Sequence, residues 1–270
     1  YYRLFIPVLI GCAIGFVGLS KVVELAFGAD SAVVTCLFFG LILVYLYRAL
    51  YGAGADLAAL ASTATYVWIQ QAFFRMVCAD DNTLTAAIIK GDMAYQLVRP
   101  VDQYNFWFAR NLAMKLVGAL MRAFPLLLIA ALLPTGVGLS APASLGALML
   151  SLLSLLLGLV AVTALSNISA GLVLVTLDNR GVNAVITFLI LFLCGNILPL
   201  TLFPDRWQRF IQWQPFAQIL DAPIRLYTGE YALRGFPQIA LMQVFWIVLL
   251  VLIGRMLWRH TLRRIVIQGG

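Results

Sequence analysis

One segment constrains the fold of this chain more than any other. Residues 145–165 read LGALMLSLLSLLLGLVAVTAL, which is apolar on every face of a helix. A bilayer core about 30 Å thick needs about 20 helical residues at 1.5 Å each. Strands of an outer-membrane barrel would instead alternate polar and apolar side chains. The segment therefore predicts a membrane-spanning helix.

The whole chain shares this character. It is 63% hydrophobic and 11% charged, whereas soluble domains carry about 25% charged residues. The composition predicts an all-α integral membrane protein with six transmembrane helices. The apolar runs that define them are residues 32–50, 57–77, 108–133, 145–165, 182–203 and 239–258.

The beginning of the chain is harder to assign. Residues 4–19 are apolar, but sixteen residues make only about 24 Å of helix, and Lys21 and Glu24 follow. We expect an N-terminal elbow helix at the membrane surface, with a seventh span as the alternative. A second apolar run follows without a clear small-residue cleavage site, so no cleavable signal peptide is expected.

Lysine and arginine residues indicate the orientation, because they concentrate on the cytoplasmic side. Six spans with a cytoplasmic C-terminus place twelve of these residues inside and five outside. The five outer ones are Arg48, Arg206, Arg209, Arg225 and Arg234. We therefore expect both termini in the cytoplasm, in the inner membrane of a bacterium. The net charge of +7 is then a topology signal, and nucleic acid is not an expected partner.

We expect one permease domain over residues 1–270. Residues 1–30 form the elbow helix, 31–260 the six-span bundle and 261–270 a cytoplasmic tail. The apolar run 145–177 is about 50 Å long as a helix, which is too long for one span. We expect a tilted span that ends near Ser166 and Asn167, with residues 168–177 continuing along or beyond the inner boundary.

Catalytic motifs are missing from the sequence. It has no Gly-Lys dipeptide, so the phosphate-binding loop GxxxxGK[ST] is absent. The one histidine, His260, has few possible partners for a metal site or a catalytic triad. The four cysteines lie in or beside apolar runs without CxxC spacing, as buried structural residues do. We expect a non-catalytic subunit with neither a metal nor a cofactor of its own.

Three motifs occur in order along the chain. IIKGDMAYQLVRPVDQ contains Ile-x-x-Gly followed by Leu-x-Arg-Pro; GNILPLTLFPDRWQRFIQWQPFAQILDAPIRLYTG contains Gly-x-x-x-Pro-Leu, Phe-Pro and Pro-Phe-Ala; and the chain ends in RRIVIQGG. With six spans, this pattern resembles the ABC-2 type transporter permeases, in particular the branch once listed as domain of unknown function 990. The resemblance covers the chain from about Ala32.

The resemblance implies an exporter permease that dimerises with an identical or paralogous permease and docks two separate ATPase subunits. ATP and Mg²⁺ would be bound by those subunits, and membrane lipids would surround the spans. The inner loop between spans two and three would form the ATPase-coupling surface, with Lys90, Gly91, Asp92, Arg99 and Pro100 as its candidate residues. The alternative for this loop is a solvated connector.

The segment after span five would supply the outer gate. In such permeases this part forms short re-entrant helices, and the prolines, tryptophans and snorkelling arginines here agree with that. We expect two short helices broken near Pro215 and Pro223; the alternative is an ordinary extracellular loop. The candidate gate residues are Pro199, Pro204, Trp207, Trp213, Pro215, Phe216 and Pro223.

Polar residues inside the spans are candidates for the transport pathway. They are Tyr66, Trp68, Gln70, Gln71, Arg122, Asn167 and Asn196. Intramembrane polar groups are often functional, but each one could instead form a helix–helix hydrogen bond.

Two other classes of function compete with the exporter. A secondary transporter would show internal repeats and intramembrane carboxylates, and here every Asp and Glu lies at or beyond a span end. A membrane-embedded lipid or glycan transferase would need clustered acidic or histidine side chains, and Asp80 with Asp81 is explained by a helix cap. The expected substrate is amphiphilic: a drug, a peptide, a lipid or a lipid-linked glycan.

Overall fold

The computed structural model describes residues 57–78, 101–133, 138–176, 179–195, 200 and 210–262. These residues form helices and turns, without a strand among them. In chain order the helices are α1 (Leu57–Cys78), α2 (Gln103–Leu132), α3 (Leu145–Thr176), α4 (Asn179–Leu193), α5 (Ala217–Thr228) and α6 (Phe236–Leu262), with a 3₁₀ turn at Leu233–Gly235 before α6.

Three helices in the described part of the chain are long and apolar enough to cross a membrane: Gln103–Leu132, Leu145–Thr176 and Leu233–Leu262. They agree with the third, fourth and sixth predicted spans. Residues 57–77 and the first part of 182–203 are also helical, as α1 and α4. The predicted first span (32–50) and elbow helix (1–30) lie outside the described residues, as does 263–270 of the predicted tail.

α3 runs through residues 166 and 167 without a break and ends only at Thr176. Its 32 residues correspond to about 48 Å of helix. That exceeds a hydrocarbon core of about 30 Å, so α3 is longer than one perpendicular membrane span, as the length of the apolar run predicts.

Contacts divide the chain into two compact units. In the first unit, parts of α1 and α2 pack through a core of small and large apolar side chains. Its buried members are Ala64, Val67, Trp68, Ala72, Ala123, Leu126 and Ala130. Next to this core the Thr65 hydroxyl donates to the carbonyl of Ala61 (2.8 Å) and accepts from the amide of Ser140 (2.8 Å).

The second unit contains the rest of α2 together with α3 to α6. One aromatic cluster, made of Tyr104, Trp107, Leu174 and Trp258, joins the start of α2 to the last turns of α3 and α6. α5 packs along α3 farther from that cluster, beside Gly158. The unit is therefore built on α3, which contacts α2, α4, α5 and α6.

The prolines between α4 and α6 act differently from the prediction. The chain does break beside Pro215, where a short helical turn at residues 210–213 ends before α5 begins at Ala217. The predicted break near Pro223 is wrong, because Pro223 lies inside α5 and is buried. Proline in a helix removes the hydrogen bond to the carbonyl four residues earlier, which here is that of Ile219.

Gly158 of α3 accommodates that carbonyl. A Cβ atom on Gly158 would overlap the carbonyl oxygen of Ile219 and lie 3.1 Å from its carbonyl carbon and Cα. Glycine thus lets the backbones of α3 and α5 approach at the place where Pro223 leaves a carbonyl without its helical partner. The backbones of α3 and α5 are therefore in close contact at the level of Pro223.

We predict that Gly158→Ala destabilises the protein. Alanine favours a helix over glycine by about 1 kcal/mol, but overpacking against backbone atoms costs about 1–3 kcal/mol, so the clash outweighs the gain. Thermal unfolding of the detergent-purified protein should start at a lower temperature. Gly235→Ala is the matched control, since nothing lies within 4 Å of a Cβ there. Equal unfolding temperatures for the two variants would contradict the proposed contact.

Candidate functional site

Several predicted site residues lie outside the described part of the chain. They are the coupling residues Lys90, Gly91, Asp92, Arg99 and Pro100, the gate residues Pro199, Pro204 and Trp207, and the pathway residue Asn196. Their roles stay predictions. The remaining candidates lie in α1 to α3 and around α5.

The candidates in the first unit lie in or beside its core. Trp68 is fully buried among apolar side chains, and Gln70, Gln71 and Arg122 are also buried, while Tyr66 is half-buried. A role of these side chains in the transport pathway remains a prediction.

Asn167 lies at the centre of a polar contact between three helices, which we call the Asn167 junction. The side-chain amide of Asn111 in α2 donates to Asn167 Oδ1 (2.9 Å), and Asn167 Nδ2 donates to the carbonyl of Tyr104 (3.3 Å). From α6, Trp258 Nε1 donates to the backbone carbonyl of Asn167 (2.7 Å). Asn167 is fully buried, so these bonds hold α2, α3 and α6 together away from solvent.

The first turn of α2 is fixed by a second set of contacts. Asp102 caps the helix, accepting from the Asn105 amide (3.3 Å) and from Asn105 Nδ2 (3.0 Å). Arg255 of α6 donates to Asn105 Oδ1 (2.7 Å), and its guanidinium lies 5.5 Å from the Tyr104 ring centre. The start of α2, which directly follows the predicted coupling loop, is therefore attached to α6.

A second polar contact, the Gln243 junction, was not predicted. Gln243 in α6 donates through Nε2 to the carbonyl of Ser154 in α3 (3.0 Å) and to the carbonyl of Gln218 in α5 (2.8 Å). The Ser154 hydroxyl donates to Gln243 Oε1 (3.2 Å). Gln243 is 1% exposed. The sequence signal was available, since Gln243 is the one amide in the apolar run 239–258.

The predicted gate residues Trp213, Pro215 and Phe216 surround the break before α5. Trp246 Nε1 of α6 donates to the carbonyl of Trp213 (2.8 Å), and the two indole rings meet edge to face at 5.1 Å. Gln214 Nε2 donates to the carbonyl of Leu193, at the end of α4 (3.1 Å). Pro215 is buried and Phe216 half-buried, whereas Trp213 is 51% exposed. Side chains of the protein thus donate hydrogen bonds to the backbone carbonyls at this break.

An ion pair is buried in α5. Arg225 Nε lies 2.8 Å from Asp221 Oδ2, and both residues are less than 10% exposed. Burial lowers the pKa of Arg225, but the charges of Asp221, Tyr231 and Glu230 together with the Asp221 hydrogen bond outweigh it, and the pKa is raised. Burial also raises the pKa of the Tyr231 phenol, over which Arg225 lies at 5.6 Å. Arg225 is therefore charged at every physiological pH.

These features define a helical, multi-pass membrane protein whose polar side chains join its helices. The family model for the ABC-2 family transporter proteins matches residues 31–269. The chain therefore belongs to the ABC-2 transporter family, which provides the membrane permease component of ATP-binding cassette transporters and associates with ATPase subunits. Searches of curated proteins and of solved structures gave no match.

We predict that Asp221→Asn destabilises the protein by about 1–3 kcal/mol, because Arg225 loses its buried partner and keeps only the half-exposed Glu230, 3.5 Å away. Adding Arg225→Gln should recover part of that loss, since both charges are then gone. Thermal unfolding of the two variants in detergent tests this, with the exposed Arg234→Gln as the control. A double variant no more stable than the single one would show that the pair does not act as a unit.

Proposed function

We propose that this chain is the permease subunit of an ATP-binding cassette exporter. Two permeases, identical or paralogous, would form the pathway, and two separate ATPase subunits would bind ATP and Mg²⁺. The proposal rests on the family and on one structural observation: α5 is a short helix held at one end of α3 and α6. A helix in that place fits a re-entrant outer gate.

The directions of the helices support this interpretation. Ser154 pairs with Gln243, and later in both helices Asn167 pairs with Trp258, so α3 and α6 run parallel. α4 starts just after α3 ends, and its own end, at Leu193, meets Gln214 next to the Trp213–Trp246 contact. α4 therefore runs antiparallel to α3 and α6, as expected for consecutive membrane spans.

The charges support the orientation. The end of the second unit that contains the start of α2 also contains Arg110, Arg255 and Arg259, beside the aromatic cluster. The α5 end has Arg225, which is paired with Asp221, and Arg234. The first end thus has three arginines and the second has two among the described residues. Because cationic residues favour the cytoplasmic side, we assign the α5 end to the outer surface and the start of α2 to the ATPase side.

The substrate we propose is amphiphilic, within the class of drugs, peptides, lipids and lipid-linked glycans. The described spans carry mainly apolar side chains with a few amides, and α2 also contains the buried cations Lys115 and Arg122. Apolar surfaces with a small number of polar groups suit molecules that are themselves part apolar and part polar. Mass spectrometry of molecules that remain bound to the purified complex would identify the substrate.

The test of the proposed function is purification from native membranes. An affinity-tagged chain should bring down an ABC ATPase, and the complex should hydrolyse ATP while the isolated chain does not, because the chain lacks a phosphate-binding loop. A Walker-lysine variant of the ATPase is the control for contaminating hydrolysis. Hydrolysis by the chain alone would overturn the proposal, and so would a complex without any ATPase.

Thiol labelling tests the orientation. In intact cells, a membrane-impermeant thiol reagent should label cysteines at positions 206 and 209 from outside, and should label positions 210, 213 and 216 more slowly. Phe210 and Trp213 are 63% and 51% exposed on the protein surface, so slow labelling there would show that lipid covers them. Uniform fast labelling would indicate an ordinary extracellular loop, and labelling only in inverted vesicles would reverse the orientation.

A further inference from the structure

α3 and α6 are hydrogen-bonded to each other at two widely separated levels. At one level Gln243 bonds to Ser154, and at the other Trp258 bonds to Asn167. On α3 the two levels are thirteen residues apart, or about 20 Å along the helix. On α6 they are fifteen residues apart, or about 22 Å. The near-equal spacing means that neither helix can slide along the other without breaking one of the two levels.

Glycines bring the same two helices close together near the Asn167 junction. A Cβ on Gly171 of α3 would lie 2.9 Å from Leu257 and 3.1 Å from Trp258 of α6. A Cβ on Gly254 of α6 would lie 3.0 Å from the Tyr104 ring and 3.4 Å from Ile168 of α3. Small residues at a helix contact allow the close packing that drives association in lipid. The α3–α6 contact is thus tight as well as hydrogen-bonded.

Each level also holds one further element. At the Asn167 junction that element is the start of α2, through Asn111 and Tyr104, with Arg255 bonded to Asn105 nearby. At the Gln243 junction it is α5, through the carbonyl of Gln218. Gln218 in turn donates to the carbonyl of Gln212 (2.7 Å), in the short turn before α5. The parallel pair therefore has one attached element at each end.

We propose that α3 and α6 move as one body, which carries a displacement of the start of α2 to α5. Asn167 and Gln243 are the positioning residues of this connection. The inference rests on the proposed function, in which the start of α2 faces the ATPase and α5 closes the exit. It adds that a movement of the start of α2 reaches α5 through two buried amides, Asn167 and Gln243.

The lipid environment explains why amide side chains connect these helices. Lipid gives no hydrophobic drive for one apolar helix to stay aligned with another, so polar bonds and close packing fix the register. Interhelical hydrogen bonds inside membranes contribute about 0.6 kcal/mol on average and up to about 1.7 kcal/mol. One such bond is weak on that scale, but Gln243 of α6 bonds both to Ser154 of α3 and to the Gln218 carbonyl of α5. Its side chain therefore connects three helices through several hydrogen bonds. Replacing Gln243 by leucine removes them while keeping most of the volume.

The first experiment uses the purified complex of the full chain with its ATPase. A fluorescent unnatural amino acid at position 210, an exposed site in the turn attached to α5, reports movement when Mg²⁺ and ATP are added. In Gln243→Leu this ATP-dependent change should be lost, while ATP hydrolysis stays within about twofold. Leu241→Ala, at a 72% exposed position of α6, is the control and should respond like the parent. A full response in Gln243→Leu would overturn the inference.

A covalent bridge tests the same connection without relying on a weakened variant. In a chain whose four cysteines are replaced, cysteines at positions 171 and 257, which face each other between α3 and α6, are joined by oxidation to a disulfide, so that Asn167 and Gln243 stay in place. If α3 and α6 move as one body, the bridged complex keeps the ATP-dependent signal at position 210. Loss of the signal on bridging, restored by reduction of the disulfide, would show that the helices must separate and would overturn the inference. Absence of any ATPase from the complex would instead overturn the proposed function.

Discussion

The structure depends on one constraint: backbone polar groups removed from water need partners from the protein itself. A regular helix meets this requirement internally, but the stretch around α5 does not. Pro223 removes the helical partner of the Ile219 carbonyl, and Gly158 lets α3 approach at that place. Where two helices end, the carbonyls of Trp213 and Leu193 accept from Trp246 of α6 and from Gln214. The carbonyl of Gln218, inside α5, accepts an additional hydrogen bond from Gln243 of α6. Side chains therefore provide partners at the break before α5 and attach α5 to α6.

Local properties of the sequence predicted most of the helices. Length and continuous apolarity identified the spans that became α2, α3 and α6, and the break beside Pro215 also followed from local chemistry. The prediction for Pro223 was wrong because a proline removes one helical hydrogen bond but does not have to end the helix. The carbonyl that it frees faces Gly158 of another helix, and nothing near Pro223 in sequence reveals this long-range contact.

The polar residues show the same limit at the site. Asn167 was predicted as a polar interruption of a span, whereas Gln243, a similar amide in a similar apolar run, was not. Each forms a buried contact between three helices. Sequence reveals that such a residue is polar, and it leaves open whether the partner is another helix or a substrate. The Asn167 side chain bonds to Asn111 and to the Tyr104 carbonyl of α2, and its backbone carbonyl accepts from Trp258 of α6.

The placement of these two junctions bears on how a bundle in lipid can transmit movement. Lipid tails are as apolar as the helix surfaces, so close packing and interhelical hydrogen bonds hold two helices together in a membrane. Two hydrogen-bonded levels about 20 Å apart resist both sliding and tilting, since either motion strains at least one level. The parallel direction of α3 and α6 then matters, because it places the start of α2 at one end of the pair and α5 at the other. A membrane protein that must connect events on its two sides needs an element of this kind, and among the described residues the α3–α6 pair is attached at both ends.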